Sequence, residues 1–285
     1  MSRVLVFGGT HGNEWTGIYL VQNYATELSA KFPDLQIEFI HANPEAYKKN
    51  KRFCDEDLNR VFEPIQKNAV HPTLEYRRGL EILDKIKTFN PDWVIDLHTT
   101  TANMGKTLII TKETEEIHRL AGQVQIEDAD VKVIYAPDTN QKYLTSQVSK
   151  GLMIEVGPVA NSLVDPQILL KTKSTLEHLL SLISKKTYLN CQKVEEYLEV
   201  EDVFYPSLGH NRKVMIHPEL QGRDFTPLKQ NDLLFLYPSG KVDSYNKEEG
   251  LFPIFINEAA YYPSDMAFTL CRKMIKKFTT YCARD

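Results

Sequence analysis

The chain has 285 residues, 42% hydrophobic and 25% charged, which is the composition of an ordinary globular protein long enough to bury a sizeable core. With 34 Lys and Arg against 38 Asp and Glu, its formal net charge is −4, which argues against a general nucleic-acid binder or a protein held on an anionic membrane. Cys54, Cys191, Cys271 and Cys282 form no CxxC pair and have no zinc-finger spacing, so reduced thiols in an intracellular, cytoplasmic protein are expected. The first residues are too briefly apolar for a signal peptide, and no run of about 20 apolar residues exists to span a membrane.

In chain order, "VLVFG" (4–8) is a short apolar run ending in glycines, as a buried parallel strand should be. "EWTGIYLVQNYATELSA" (14–30) follows as one helix, with Ile18, Val21, Ala25 and Leu28 at helical spacing. "LQIEFIHANP" is a second strand stopped by Asn43-Pro44, and "LEYRRGLEILDKIKTF" is a helix with Leu80, Leu83 and Ile86 among its apolar positions. "DWVIDLHTTT", "KTLIIT", "VKVIYA" and "GLMIEVGP" are further strands. Asp165 as N-cap and Pro166 in the first turn open a helix over 165–184. This alternation predicts an α/β layer with a largely parallel sheet. After about residue 190 short runs separated by Pro, Gly and Asp read as a smaller β-rich domain, so residues 1–190 and 191–285 are the expected domains. A last helix is expected over about 265–278.

In open α/β sheets ligands bind outside the carboxyl ends of the strands. His11 and Glu14 follow the first strand, His98 follows "DWVIDL", and Glu155 follows "GLMI". His11 and Glu14 are three apart and share a face of a turn. With His98 they form the two-His, one-Glu set of hydrolytic zinc sites, which keep a position open for water. The plainer alternatives are a chance H-x-x-E and a hydrogen-bonded structural histidine. Asp96 is expected to point away from His98, and its role stays open. A carboxylate in an apolar strand, as at Glu155, is costly unless paired or functional. The remaining histidines, His41, His71, His118, His178, His210 and His217, show no ligand spacing and are expected to be structural.

The polar segment "KRFCDEDLNRVF" clusters Arg52, Asn59 and Arg60. Arginine forks recognise carboxylates bidentately, although pairing with Asp55, Glu56 and Asp57 is the default for such a mix. The glycine-rich "FGGTHGNEWTG" also suggests a nucleotide loop. It lacks G-x-G-x-x-G and G-x-x-x-x-G-K-[ST], and the second strand ends without the acidic residue that reads a ribose.

"GGTHGNE", "DLNR", "DLH", "IEVGP" and "NEAAYY", in this order from residue 8 to residue 262, resemble the aspartoacylase and succinylglutamate desuccinylase family, the last motif its aspartoacylase branch. The resemblance implies a zinc-carboxypeptidase-like three-layer α/β/α domain, with a mixed, largely parallel sheet, followed by a smaller β-rich domain. It implies one zinc per chain on His11, Glu14 and His98, Glu155 as general base toward the attacking water, and Arg52 on the scissile carbonyl. Asn59, Arg60 and Tyr261 would hold the α-carboxylate of an N-acyl amino acid. Tyr143 begins the stretch where the family has a substrate-side tyrosine, a packed tyrosine being the alternative. The implied activity is an amidohydrolase acting on an N-acetyl-L-aspartate-like substrate, with a homodimer or higher assembly suggested.

Two departures bear on specificity. Gln147 stands where acetylaspartate-cleaving members have an arginine, and Ser264 and Asp265 stand where a lysine is usual, leaving Lys142 or Lys150 as substitutes. A deacylase for neutral or aromatic N-acetyl amino acids is therefore the alternative. A catalytically inactive zinc-binding scaffold and a nucleotide-binding protein are more remote.

Overall fold

The computed structural model describes residues 1–63, 73–206 and 214–279. Strand β1 (Ser2–Gly8) leads into α1 (Trp15–Asn23) and α2 (Ala25–Lys31), which replace the single helix expected over 14–30. Tyr24 leaves helical geometry at φ −114°, ψ 0°, yet Leu20, Val21 and Leu28 still turn to one core. After β2 (Leu35–His41) the Asn43 side chain caps α3 (Pro44–Lys48), so the Asn-Pro pair that stops the strand also starts a short helix. Helix α4 (Leu74–Phe89) is capped by Thr73, and its buried face is Gly79, Ile82, Ile86 and Phe89. Leu80 is 45% exposed, whereas Ile86 is buried and Leu83 packs against the same core, so of the apolar positions expected only Leu80 turns outward.

Strands β3 (Trp93–Thr99) and β4 (Gly105–Ile110) precede α5 (Glu115–Glu127), an unanticipated helix whose Ile117, Leu120, Ala121 and Val124 recur at helical spacing. Then come β5 (Val131–Tyr135), β6 (Gly151–Gly157) and α6 (Pro166–Lys185). The Asp165 carboxylate accepts from the Gln167 and Ile168 N–H groups at 2.9 and 3.0 Å, as an N-cap before proline should.

The remainder is β: β7 (Lys193–Phe204), β8 (Met215–Ile216), β9 (Leu233–Leu236), β10 (Val242–Ser244), β11 (Phe252–Ile254) and β12 (Met266–Lys277). The helix expected over 265–278 is therefore a strand. Ala267, Phe268, Leu270 and Cys271 are all buried, because β12 lies between β7 and β11 with both faces covered there, and such a strand loses the period-two signature.

The main sheet has nine strands in the order β11-β12-β7-β5-β4-β6-β3-β1-β2, and β8, β9 and β10 form a small antiparallel sheet. Parallel pairing holds from β2 through β1 and β3 to β6, then β4 runs antiparallel to β6. Alternation divides the side chains between two layers. Val4, Val6, Ile95, Leu97, Leu152 and Ile154 face the core shared with α1, α2, α5 and α6. Leu5, Phe7 and Val94 face α4 on the opposite side. Asp96, His98, Met153 and Glu155 are in phase with this second set, so the chemistry-bearing residues emerge on the face that α4 covers only in part.

Candidate active site

Past β1 the chain turns at Gly9, whose φ of +74° suits glycine. Gly12 passes so close to α3 that a Cβ would lie 2.3 Å from the Tyr47 nitrogen. The Glu14 N–H donates to the His11 carbonyl at 3.1 Å, closing a turn that brings the two side chains together. His11 Nδ1 lies 2.6 Å from Glu14 Oε1, and His98 Nδ1 lies 3.1 Å from Glu14 Oε2. The three residues are buried, and their ligand atoms lie within 4.8 Å of one another.

Each imidazole uses its far nitrogen on a carboxylate: His11 Nε2 on Asp57 Oδ1 at 3.0 Å and His98 Nε2 on Asp96 Oδ2 at 2.7 Å. With both Nε2 positions held on carboxylates, each Nδ1 faces Glu14 with a proton that a metal ion would displace, as in carboxylate-backed metal ligands. Two imidazoles and one carboxylate fit a single zinc-type ion. The orientation expected for Asp96 is corrected here: residues two apart on a strand share a face, so Asp96 meets His98. The Thr10 hydroxyl donates to the other Asp96 oxygen at 2.7 Å. Burial alone would raise the Glu14 carboxyl, but His11 and His98 override it and hold it well below the carboxylate range.

Glu155 is the parallel-register partner of His98. It is 8% exposed, and its Oε1 is buried without a hydrogen-bond partner. Burial pushes its carboxyl well up; His98 and Arg52 oppose this, while Glu14 and Glu258 reinforce it. Arg52 reaches the site from a loop organised by buried Glu75, which accepts from the Cys54 and Asp55 N–H groups at 2.6 and 3.0 Å. Arg52 donates to Asp57 from Nε and Nη2, at 3.2 and 3.0 Å, and its Nη1 lies 3.3 Å from Glu14 Oε1. Of the acids expected to pair with this loop, Asp57 thus clamps Arg52 and His11 together.

A cavity of roughly 80 Å³ opens above these groups, lined by His11, Arg52, Asn59, Arg60, His98, Tyr143, Glu155 and Tyr261 among others. Asn59 Oδ1 accepts from the Leu144 N–H at 2.9 Å, fixing the amide. The Arg60 guanidinium lies over the Tyr143 ring at 4.6 Å. Tyr261 rides on a 3-10 turn capped by Glu258, whose carboxylate also accepts from Thr100, Thr101 and Ala102 after β3. Gln147 is not among the lining residues: its amide donates to the Gln141 and Tyr143 carbonyls at 2.6 and 3.0 Å. Lys150 pairs with Glu116 at 2.7 Å, whereas Lys142 lines an adjoining cavity.

Sequence reasoning missed Glu258 and Glu199 of β7, which also lines the cavity, and left Asp96 without a role. The period of two around "DLH" was signal enough for Asp96. Elsewhere, His118 pairs with Glu196, His178 pairs with Glu127, and His41 packs on Tyr47. The His217 Nδ1 accepts from the Glu219 N–H. Cys54, Cys191 and Cys271 are unpaired thiols. His71, His210 and Cys282 lie outside the described residues. Among the described residues, no helix is long and apolar enough to cross a membrane.

A mixed α/β sheet whose face gathers a His–Glu–His donor set, a buried carboxylate and arginines over one cavity has the layout of a single-metal hydrolase. Residues 1–183 match the succinylglutamate desuccinylase/aspartoacylase catalytic domain, and residues 192–273 match the AstE/AspA barrel-sandwich hybrid domain. The chain is 34% identical to a probable aspartoacylase of Nostoc sp., over 96% of this chain and 97% of that one. It is equally 34% identical to the N-acyl-aromatic-L-amino acid amidohydrolase (carboxylate-forming) B of Danio rerio, over 96% and 94%. The crystal structure of murine aminoacylase 3 superposes with a TM-score of 0.88 at 26% identity, covering 96% of each chain. The protein belongs to the succinylglutamate desuccinylase/aspartoacylase family of amidohydrolases, as its motifs implied.

Proposed function

We propose that this protein is a zinc-dependent N-acyl amino acid deacylase, with His11, Glu14 and His98 holding the ion and Glu155 acting as general base. The observation that carries the reading is the buried Glu155, its Oε1 without a hydrogen-bond partner, in the lining of the same cavity as the two imidazoles. When bound, zinc supplies Lewis-acid chemistry, polarising the acyl carbonyl and bringing the pKa of the attacking water toward about 7.

The chain's own groups do the rest. Arg60 and the Asn59 amide receive the substrate α-carboxylate, with Tyr143 and Tyr261 flanking it. Arg52, steadied by Asp57, faces the acyl oxygen as charge develops there. Glu155 takes a proton as the water oxygen adds to the acyl carbon. It returns that proton to the amide nitrogen as the C–N bond breaks. A carboxylic acid and a free amino acid leave.

An N-acetyl-L-aspartate-like substrate remains one form of this reading. Two relatives equally similar in sequence carry names for different side-chain classes, so names do not decide the matter. The apolar cavity wall of Ile109, Met153 and Phe255 favours a side chain with apolar surface over that of aspartate. Release of free amine from N-acetyl aspartate, glutamate, phenylalanine and leucine by zinc-loaded protein tests the activity, and no release from any would refute it.

A further inference from the structure

Glu199 is a carboxylate for which the reaction described above has no use. It rises from β7 beside Tyr261 and lines the inner cavity with Glu155 and Arg52. It also lines an outer cavity of roughly 270 Å³. Arg60, Ala136, Tyr143, Tyr261 and Glu199 border both spaces, so Glu199 stands at the passage between them. A side chain leaving an α-carbon held by Arg60 and Asn59 has this passage as its way out.

The charges around the passage are unbalanced. The outer cavity holds Asp138, Glu199 and Asp202 against Arg60 and Lys142. Arg60 is committed to the substrate α-carboxylate under the proposed function. Asp138 accepts from the Ser146 hydroxyl at 2.7 Å and Asp202 from the Thr269 hydroxyl at 2.8 Å. Glu199 makes no hydrogen bond or ion pair with a described residue, and Lys142 lies over the Tyr143 ring at 5.2 Å instead. Glu199 is half-buried, and a ligand group that donates to a partly desolvated carboxylate without a partner stabilises it. A carboxylate side chain meets repulsion at the same place.

We infer that Glu199 selects the substrate side chain, favouring N-acyl amino acids whose side chains end in an amine or guanidinium over those ending in a carboxylate. The inference rests on the deacylase reading and deepens it. The apolar wall of Ile109, Met153 and Phe255 takes the methylenes of such a side chain, and Glu199 takes its charged end.

Burial and Asp202 push the Glu199 carboxyl up to about 7, with Lys142 and Arg60 opposing. Asp138, Tyr143, Tyr261 and, from β12, Cys271 complete its surroundings. Glu199 gains its charge as pH rises through 7, so the preference for cations should grow between about pH 6 and 8.

The test is kcat/KM of the zinc-loaded full chain on Nα-acetyl-lysine, Nα-acetyl-arginine, N-acetyl-aspartate and N-acetyl-phenylalanine across that range. The cationic substrates should exceed the aspartate substrate by roughly tenfold or more, mainly through KM. Glu199→Gln should lower the lysine-to-phenylalanine ratio by about tenfold and flatten its rise with pH. A wild-type preference for aspartate, or an unchanged ratio in Glu199→Gln, overturns the assignment while leaving the deacylase in place. Hydrolysis of no substrate in the panel overturns both.

Discussion

Asp96 and His98 stand two residues apart on β3 and are joined through Asp96 Oδ2 and His98 Nε2 at 2.7 Å. The contact fixes which imidazole nitrogen is free for a metal, because the Nε2–H is spent on the carboxylate. Removing such a partner commonly costs about 10–100-fold in metal affinity. Asp96→Ala should lose zinc to a competing chelator at a correspondingly lower concentration than the wild type. Unaltered affinity would mean that Asp96 serves only the fold.

In the proposed function Glu155 and Arg52 serve the same reaction from two sides, and they should fail differently. Glu155→Gln removes the proposed proton acceptor but touches none of the three proposed ligands, so near-stoichiometric zinc by elemental analysis should accompany a fall in kcat of about 10²–10⁴-fold. Arg52→Ala should lower kcat by about 10²–10³-fold, the usual effect of losing one oxyanion donor. Arg52→Lys should recover little, since an ammonium cannot reproduce a fork held on Asp57. Turnover of Glu155→Gln at the wild-type rate would remove Glu155 from the base role.

Glu258 connects the turn bearing Tyr261 to the end of β3. Its Oε2 accepts from the Thr101 N–H and hydroxyl at 2.8 and 2.9 Å, and its Oε1 accepts from the Ala260 N–H at 2.9 Å. Glu258→Ala should destabilise the fold by about 1.5–3 kcal/mol in urea titrations, the scale of hydrogen bonds to a charged group. Because the proposed function places Tyr261 beside the substrate carboxylate, KM should rise more than kcat falls. A variant with lost stability and unmoved KM would leave Glu258 a purely architectural role.

Much of this site could be read from the chain because its parts are local. His11 and Glu14 share one turn, Arg52 to Arg60 share one loop, and a carboxylate in an apolar strand draws notice by its cost. What escaped reading is non-local. Glu258 meets Thr100 from 158 residues along the chain, and Glu199 reaches the cavity only because β7 pairs with β5. Position along the chain does not say whether an amide turns to the cavity or to its own loop, and the Gln147 amide donates within its loop. Strand β12 was read as a helix because burial on two faces erased its alternation. Helix α5 went unread, although its apolar spacing carried the signal.

Asp224 offers a test of stability away from the chemistry. Its Oδ1 accepts from the Ile256 N–H at 3.0 Å, while its Oδ2 is buried without a partner. Burial pushes the carboxyl from 3.8 up to about 6, with backbone N–H groups including that of Ile256 opposing. The folded state therefore keeps a proton that the unfolded chain releases. The stability linked to that proton is fully present below pH 3.8 and is lost as pH rises through about 6. Asp224→Asn keeps the acceptor and removes the charge. It should be more stable than the wild type at pH 8 by up to the order of 2–3 kcal/mol, with the gap closing toward pH 4. Urea midpoints at the two pH values measure this, and a wild type that is the more stable of the pair at pH 8 would show that the Asp224 charge is compensated in the fold.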